Sequence, residues 1–191
     1  LATVNRFFAE RGIAVPDLYP MVRGRLVEVN GKPVSEADFA EERAKRLVER
    51  EFNLSYAEHA PAHNQLVAGA WFGRGARELS AEEGIAGTLG WKLGDELAFA
   101  VGGERFRARI TSLRKLRWDS MKINFFVIAS PELLADFPAS FVSAFRVEPA
   151  HEEDGPGVRA AAARAGSRGR GAERPPTPRG RALASLPLGV R

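Results

Sequence analysis

Two adjacent glycines, Gly102-Gly103, sit between two runs of strictly alternating character and leave the chain few options there. Before them, Leu97, Phe99 and Val101 alternate with small or polar neighbours. After them, Phe106, Ala108 and Ile110 alternate with Arg105, Arg107 and Arg109. A period of two marks a strand with one buried face. Glycine supplies the positive φ that a two-residue hairpin turn requires. Residues 97–110 therefore predict a β-hairpin, and its surroundings carry signals of their own. Ser80 followed by Glu83 is a capping-box pattern that predicts a helix start, with Ile85, Ala86 and Leu89 as its apolar face and Gly90 as its stop. Gly94-Asp95 predicts a turn, and the apolar run 123–129 predicts a central strand.

Read in order, the rest of the chain alternates between the two periods. Val4, Phe7 and Phe8 predict a helix that Gly12 ends. Pro16 and Pro20 mark an irregular link. Residues 21–30 predict a strand with Val22 and Leu26 inward and Arg23 and Arg25 outward, turned by Asn30-Gly31. Ser35 and Asp38 open a second expected helix. On it, Phe39, Ala40, Ala44, Leu47 and Val48 recur at helical spacing, opposite a charged face. Residues 52–56 and 65–72 read as strands. Pro131 opens a short helix carrying Leu133, Leu134 and Phe137, which Pro138 closes, and 139–147 reads as a last strand.

Charge divides the chain in two. Residues 1–150 carry 20 basic and 20 acidic side chains, so the whole net charge of +4 lies in 151–191. The basic balance is thus no argument for nucleic-acid binding by the folded part. No aromatic residue follows Phe145, and the tail is dominated by Arg, Ala, Gly and Pro. Such a composition predicts disorder over 151–191. It fits a natural basic linker and a shifted reading frame in a GC-rich gene equally. The chain starts at Leu1 and not at Met, and is expected to be part of a longer protein. It contains no cysteine, so disulfides and thiolate metal sites are excluded. No apolar run approaches the ~20 residues of a membrane helix.

Few residues present themselves for chemistry. His59 and His63 are four apart, the spacing of helical metal ligands, but Pro61 between them argues against a helix and no third ligand follows. Trp118-Asp119-Ser120 offers Asp119 and Ser120 as a hydrolase pair. No histidine stands nearby and no nucleophile-elbow motif surrounds Ser120, so a turn is the reading taken. Arg105, Arg107, Arg109, Arg114, Lys115 and Arg117 form the most basic folded stripe. It is expected to be a solvated face partly paired with Glu83, Glu96 and Glu104, with phosphate or lipid head groups as the alternative partners. No phosphate-binding loop of the GxxxxGK[ST] type occurs. The expectation is no catalytic residue, no metal and no cofactor.

The ordered set LSAEEG, LGWKLGDELAF, the Gly-Gly hairpin, TSLRKLRWDS and NFFVIASPELL resembles the extracytoplasmic domain of MacB/FtsX-type ABC transporter permeases. LYPMVRGRLVEVNGKPV and REFNLSY are similar to the same family, so the resemblance covers roughly residues 1–148. It implies an α+β fold of two lobes. A sheet-and-helix lobe from 1–64 and 119–150 would be interrupted by a small β-rich lobe at about 65–118. It implies a non-catalytic role on the periplasmic side of a bacterial inner membrane, in coupling or substrate contact during export of a lipid, lipoprotein or other hydrophobic substrate. A separate ABC ATPase subunit would be the partner, reached through membrane segments outside this chain. A free-standing binding or scaffold module, and a hydrolase using Asp119 and Ser120, are the alternatives.

Overall fold

The computed structural model describes residues 17–117 and 122–146, the backbone of 181–187, and residues 6, 9 and 10. It divides into two compact units, 21–138 and the combination of 1–20 with 139–191.

The larger unit is built on a closed ring of six strands. β1 (Tyr19–Val29) runs antiparallel to β3 (Phe52–Tyr56), with Val22 opposite Leu54. β3 runs parallel to β8 (Val127–Ala129), and β8 antiparallel to β5 (Glu78–Glu82). β5 runs parallel to β7 (Glu104–Leu116), which forms a hairpin with β6 (Glu96–Val101). β6 then pairs with β1, Leu26 opposite Phe99, and closes the barrel. Two strands lie off the ring. β2 (Lys32–Pro33) folds back on β1, and β4 (Asn64–Gly69) pairs with the outer part of β7.

Local chemistry explains most of these elements. Gly102 and Gly103 have φ of 58° and 93°, and Val101 faces Glu104 across them, a two-residue turn with both φ values positive. Asn30 and Gly31, at 52° and 74°, make the corresponding turn between β1 and β2. On β7, Phe106, Ala108 and Ile110 are buried and the intervening arginines exposed, as alternation predicts. The core gathers Phe52, Phe99 and Phe106. Phe52 meets Phe99 edge-on with ring centroids 5.8 Å apart, and Phe99 stacks on Phe106 at 5.6 Å. Each buried ring contributes roughly 2–3 kcal/mol of transfer free energy. Gly24 lies where β1 crosses this core. A Cβ there would come within 2.9 Å of side-chain methyls of both Leu54 and Val101, so a larger residue would have to displace them.

Helices are short and peripheral. α1 (Glu42–Glu49) buries Ala44, Leu47 and Val48. α2 (Glu83–Leu89) buries Ile85, Ala86 and Leu89 and ends on Gly90 in the left-handed region, φ 72°. α3 (Pro131–Leu134) starts on proline and buries Leu133 and Leu134.

This architecture corrects the α+β expectation. Strands dominate the described residues, and the fold is a β-barrel with short helices on it. The two-lobe layout falls with it, because the barrel takes β1, β3 and β8 from the segments assigned to one lobe and β5, β6 and β7 from the segment assigned to the other. Alternation shows which face of a strand is buried and is silent about its distant partner. Ser80 is also corrected. It lies inside β5, and Glu82 caps α2 by accepting from the Ile85 amide at 2.7 Å. The Ser35–Asp38 box is real, but it closes a single 3-10 turn, Glu36–Asp38, ahead of α1.

The smaller unit contains β9 (Ser140–Arg146) antiparallel to β10 (Arg181–Pro187), from Ser140 opposite Pro187 to Arg146 opposite Arg181. The Ser143 hydroxyl donates to the Asp17 carbonyl at 2.8 Å. Part of the tail expected to be disordered is therefore strand: Ala182, Leu183, Ala184 and Leu186 form a local apolar run that average composition hides. The rest of that tail, and most of the expected helix at 4–11, lie outside the described residues.

Candidate functional site

The sequence candidates part company in the structure. Asp119 and Ser120, with Trp118, lie outside the described residues. His59 and His63 are not on a helix. The His63 Nε2 is 3.2 Å from the Ile123 carbonyl, which gives that ring a local partner. Among the described residues, no group of three His, Asp or Glu side chains is placed to hold a metal. Two members of the arginine stripe are paired, but by an acid outside the expected set. Arg107 reaches Glu28 at 2.6 Å and Arg105 reaches it at 3.5 Å, across from β7 to β1. Both arginines are more than half exposed, so these pairs contribute at most about 1 kcal/mol.

Arg114 leaves the stripe altogether. Its side chain is wholly buried and fans out over three segments. Nε donates to the Ser80 hydroxyl at 2.9 Å, and Nη1 donates to the Asn64 side-chain oxygen. Nη2 donates to the carbonyls of Phe125 at 3.1 Å and of Ser80 and Phe126 at 3.3 Å. Ser112, next on the same face of β7, hydrogen-bonds Ser80 at 2.7 Å. Burial pulls the guanidinium down to about 10, and the nearby Glu82 carboxylate opposes that shift. The group therefore stays charged at neutral pH. A fall from 12.5 to about 10 corresponds to about 3 kcal/mol against carrying the charge inside, a cost that the hydrogen bonds offset. The signal for this residue was present in the sequence. The alternation of Phe106, Ala108 and Ile110, continued by two, places Ser112 and Arg114 inward.

The Arg114 network fixes the approach to β8. The Phe126 carbonyl also accepts from the Glu82 amide at 2.7 Å, and Asn64 donates to the Asn124 side chain at 3.3 Å. Phe126 is thereby held beside α1, where it forms one wall of an open cleft of about 500 Å³. The other lining residues are Arg43, Arg46, Leu47, Glu49 and Arg50. Helical spacing explains the set: 43, 46, 47 and 50 fall on one side of α1 and its C-cap. Leu47 is buried and the three arginines are exposed. None of the three is in an ion pair among the described residues. Arg25 donates to the Glu49 carbonyl at 3.0 Å and so satisfies one of the last-turn oxygens of α1. The Glu49 carboxyl is pushed up, chiefly by the neighbouring Glu36 carboxyl. Chemically, the cleft offers positive charge over an apolar floor, with no nucleophile beside a base.

A second hollow, of about 350 Å³, is lined by Glu58, Phe72, Gly73, Arg74, Pro131 and Glu132. Its polar groups already serve each other. Arg74 meets Glu58 at 3.2 Å, Trp71 donates to the Glu58 carbonyl at 3.0 Å, and the Gly75 amide donates to Glu132 at 2.9 Å.

No protein-family model matches this chain, and no solved structure matches it. The chain is 38% identical over 148 residues to YbbP of Escherichia coli strain K12, an uncharacterized ABC transporter permease. The match takes in 78% of the present chain and 18% of that permease, so the chain spans less than a fifth of its relative's length. Over most of its own length, then, the chain is similar to one segment of an ABC transporter permease.

Proposed function

We propose that this chain is the extracytoplasmic domain of an ABC transporter permease of the MacB/FtsX type, placed on the periplasmic side of a bacterial inner membrane and acting without bond chemistry. The observation that carries the reading is the 38% identity with YbbP, which extends over 148 residues. In this reading a separate ABC ATPase subunit hydrolyses ATP, and this segment carries no phosphate-binding loop. In this reading the domain lies within 1–150, and its barrel moves with the membrane helices that the ATPase drives. A barrel closed by hydrogen bonds on every side transmits displacement as a body, because its packed core does not deform continuously. The cargo class that fits is a lipid, lipoprotein or other hydrophobic molecule.

The reading is tested by reconstituting the full-length permease with its ATPase subunit in lipid nanodiscs. Replacement of 21–138 by a Gly/Ser linker is expected to leave assembly intact and change the rate of ATP hydrolysis by at least about twofold, since a coupled domain shares in the conformational equilibrium of the whole. An unchanged rate in an intact assembly overturns the coupling role.

A further inference from the structure

We infer that the cleft between α1 and Phe126 is a binding site for an anionic amphiphile, its phosphate or carboxylate head held by Arg43, Arg46 and Arg50 and its alkyl chain laid on Leu47 and Phe126. Three features of the cleft point to this class of ligand. Three guanidinium groups line one side of α1, and none is in an ion pair among the described residues. Guanidinium forks match the oxygen spacing of phosphate and carboxylate. The floor between them is apolar, which a free inorganic anion does not use. Glu49 is the one acid in the lining, against three arginines.

The wall is also fixed in advance. Phe126 is held through its backbone by Arg114 and by the Glu82 amide, and Arg25 ties down the C-terminal turn of α1. Binding therefore orders little besides the arginine side chains, which favours affinity in an open cleft. The inference deepens the transport reading and rests on it only in taking the bound molecule for cargo. The binding chemistry stands by itself.

The test is a titration of the whole 191-residue chain with dodecyl phosphate below its micelle concentration, followed by isothermal calorimetry, beside dodecyl maltoside and inorganic phosphate. Saturable binding of dodecyl phosphate is expected. The triple variant Arg43→Ala/Arg46→Ala/Arg50→Ala should weaken it at least about tenfold, since each exposed charge-assisted contact adds a modest increment. Phe126→Ala should weaken dodecyl phosphate and leave inorganic phosphate unaffected. The arginines are exposed, so a thermal melt is expected to show the triple variant folded. Equal binding of dodecyl maltoside would remove the role of the head charge, and equal binding of inorganic phosphate would remove that of the chain. Either result, or no binding of dodecyl phosphate, overturns the inference. Failure of the transport reading shows elsewhere, in the coupling of ATP hydrolysis, and leaves a positive titration standing.

Discussion

Arg114 is the residue on which most of the structure's polar interior converges, and its removal has a defined cost. Arg114→Met fits the volume but leaves the acceptors on Ser80, Asn64 and Phe125 without that donor, and the buried Glu82 without its cation. Urea unfolding of the variant is expected to show a loss of about 2–4 kcal/mol. Arg114→Lys keeps the charge but not the fork, and is expected to lose nearly as much. A Met variant within about 0.5 kcal/mol of the parent would mean that an apolar plug serves equally well. The position of Arg114 was legible in the alternation of β7, but its partners were not. They come from β4, β5 and the segment before β8, and no local pattern links those to residue 114. The same limit hid Glu28 as the partner of Arg105 and Arg107. An exposed arginine can be read from its own strand, whereas the acid opposite it is set by which strand lies alongside.

Among the elements, β7 holds the barrel together, and β4 is its one partner off the ring. Its register with β7 slips between Leu66 and Ala68, which leaves Val67 as an extra residue. Such a bulge bends an edge strand and discourages pairing with another molecule. At the end of β4, Gly69 has φ of 72°, and a Cβ there would overlap the Thr111 carbonyl oxygen of β7. Gly69→Ala combines a left-handed backbone with a steric clash and is expected to destabilise the chain by about 2–3 kcal/mol, read as a shift in the denaturation midpoint. A midpoint unchanged within error would mean that β4 does not pack on β7 as described. Turns and hairpins were the most legible elements, since Gly102-Gly103, Asn30-Gly31 and Gly90 each carry their reason in the residue itself. The helix start at Ser80 was misread because a capping-box pattern costs only two residues and occurs inside strands as well. Its competitor, the buried apolar run through Leu79 and Ala81, prevailed.

For the whole molecule, the instructive error is the two-lobe α+β layout. Strand positions were largely correct, and the assembly was not. The closing contacts are non-local: β6 with β1, β3 with β8, and β5 with β7, two of them parallel. Parallel neighbours need crossovers, and nothing within a strand identifies the strand beyond the crossover. The cleft at α1 was also only half legible. The helix and its charged face were read, but Phe126 reaches that face through the barrel, so the apolar floor beneath the arginines could not be foreseen.

The proposed placement puts this barrel outside the cytoplasm as part of a membrane transporter. The chain has no cysteine of its own, so a single introduced thiol reports unambiguously. Glu104, exposed at the tip of the β6–β7 hairpin, is the position to use. The full-length protein carrying Glu104→Cys, and otherwise free of accessible thiols, is treated in cells with a membrane-impermeant maleimide, before and after the inner membrane is permeabilised. Full labelling before permeabilisation is expected. Labelling that appears only afterwards would put the barrel in the cytoplasm and contradict that placement.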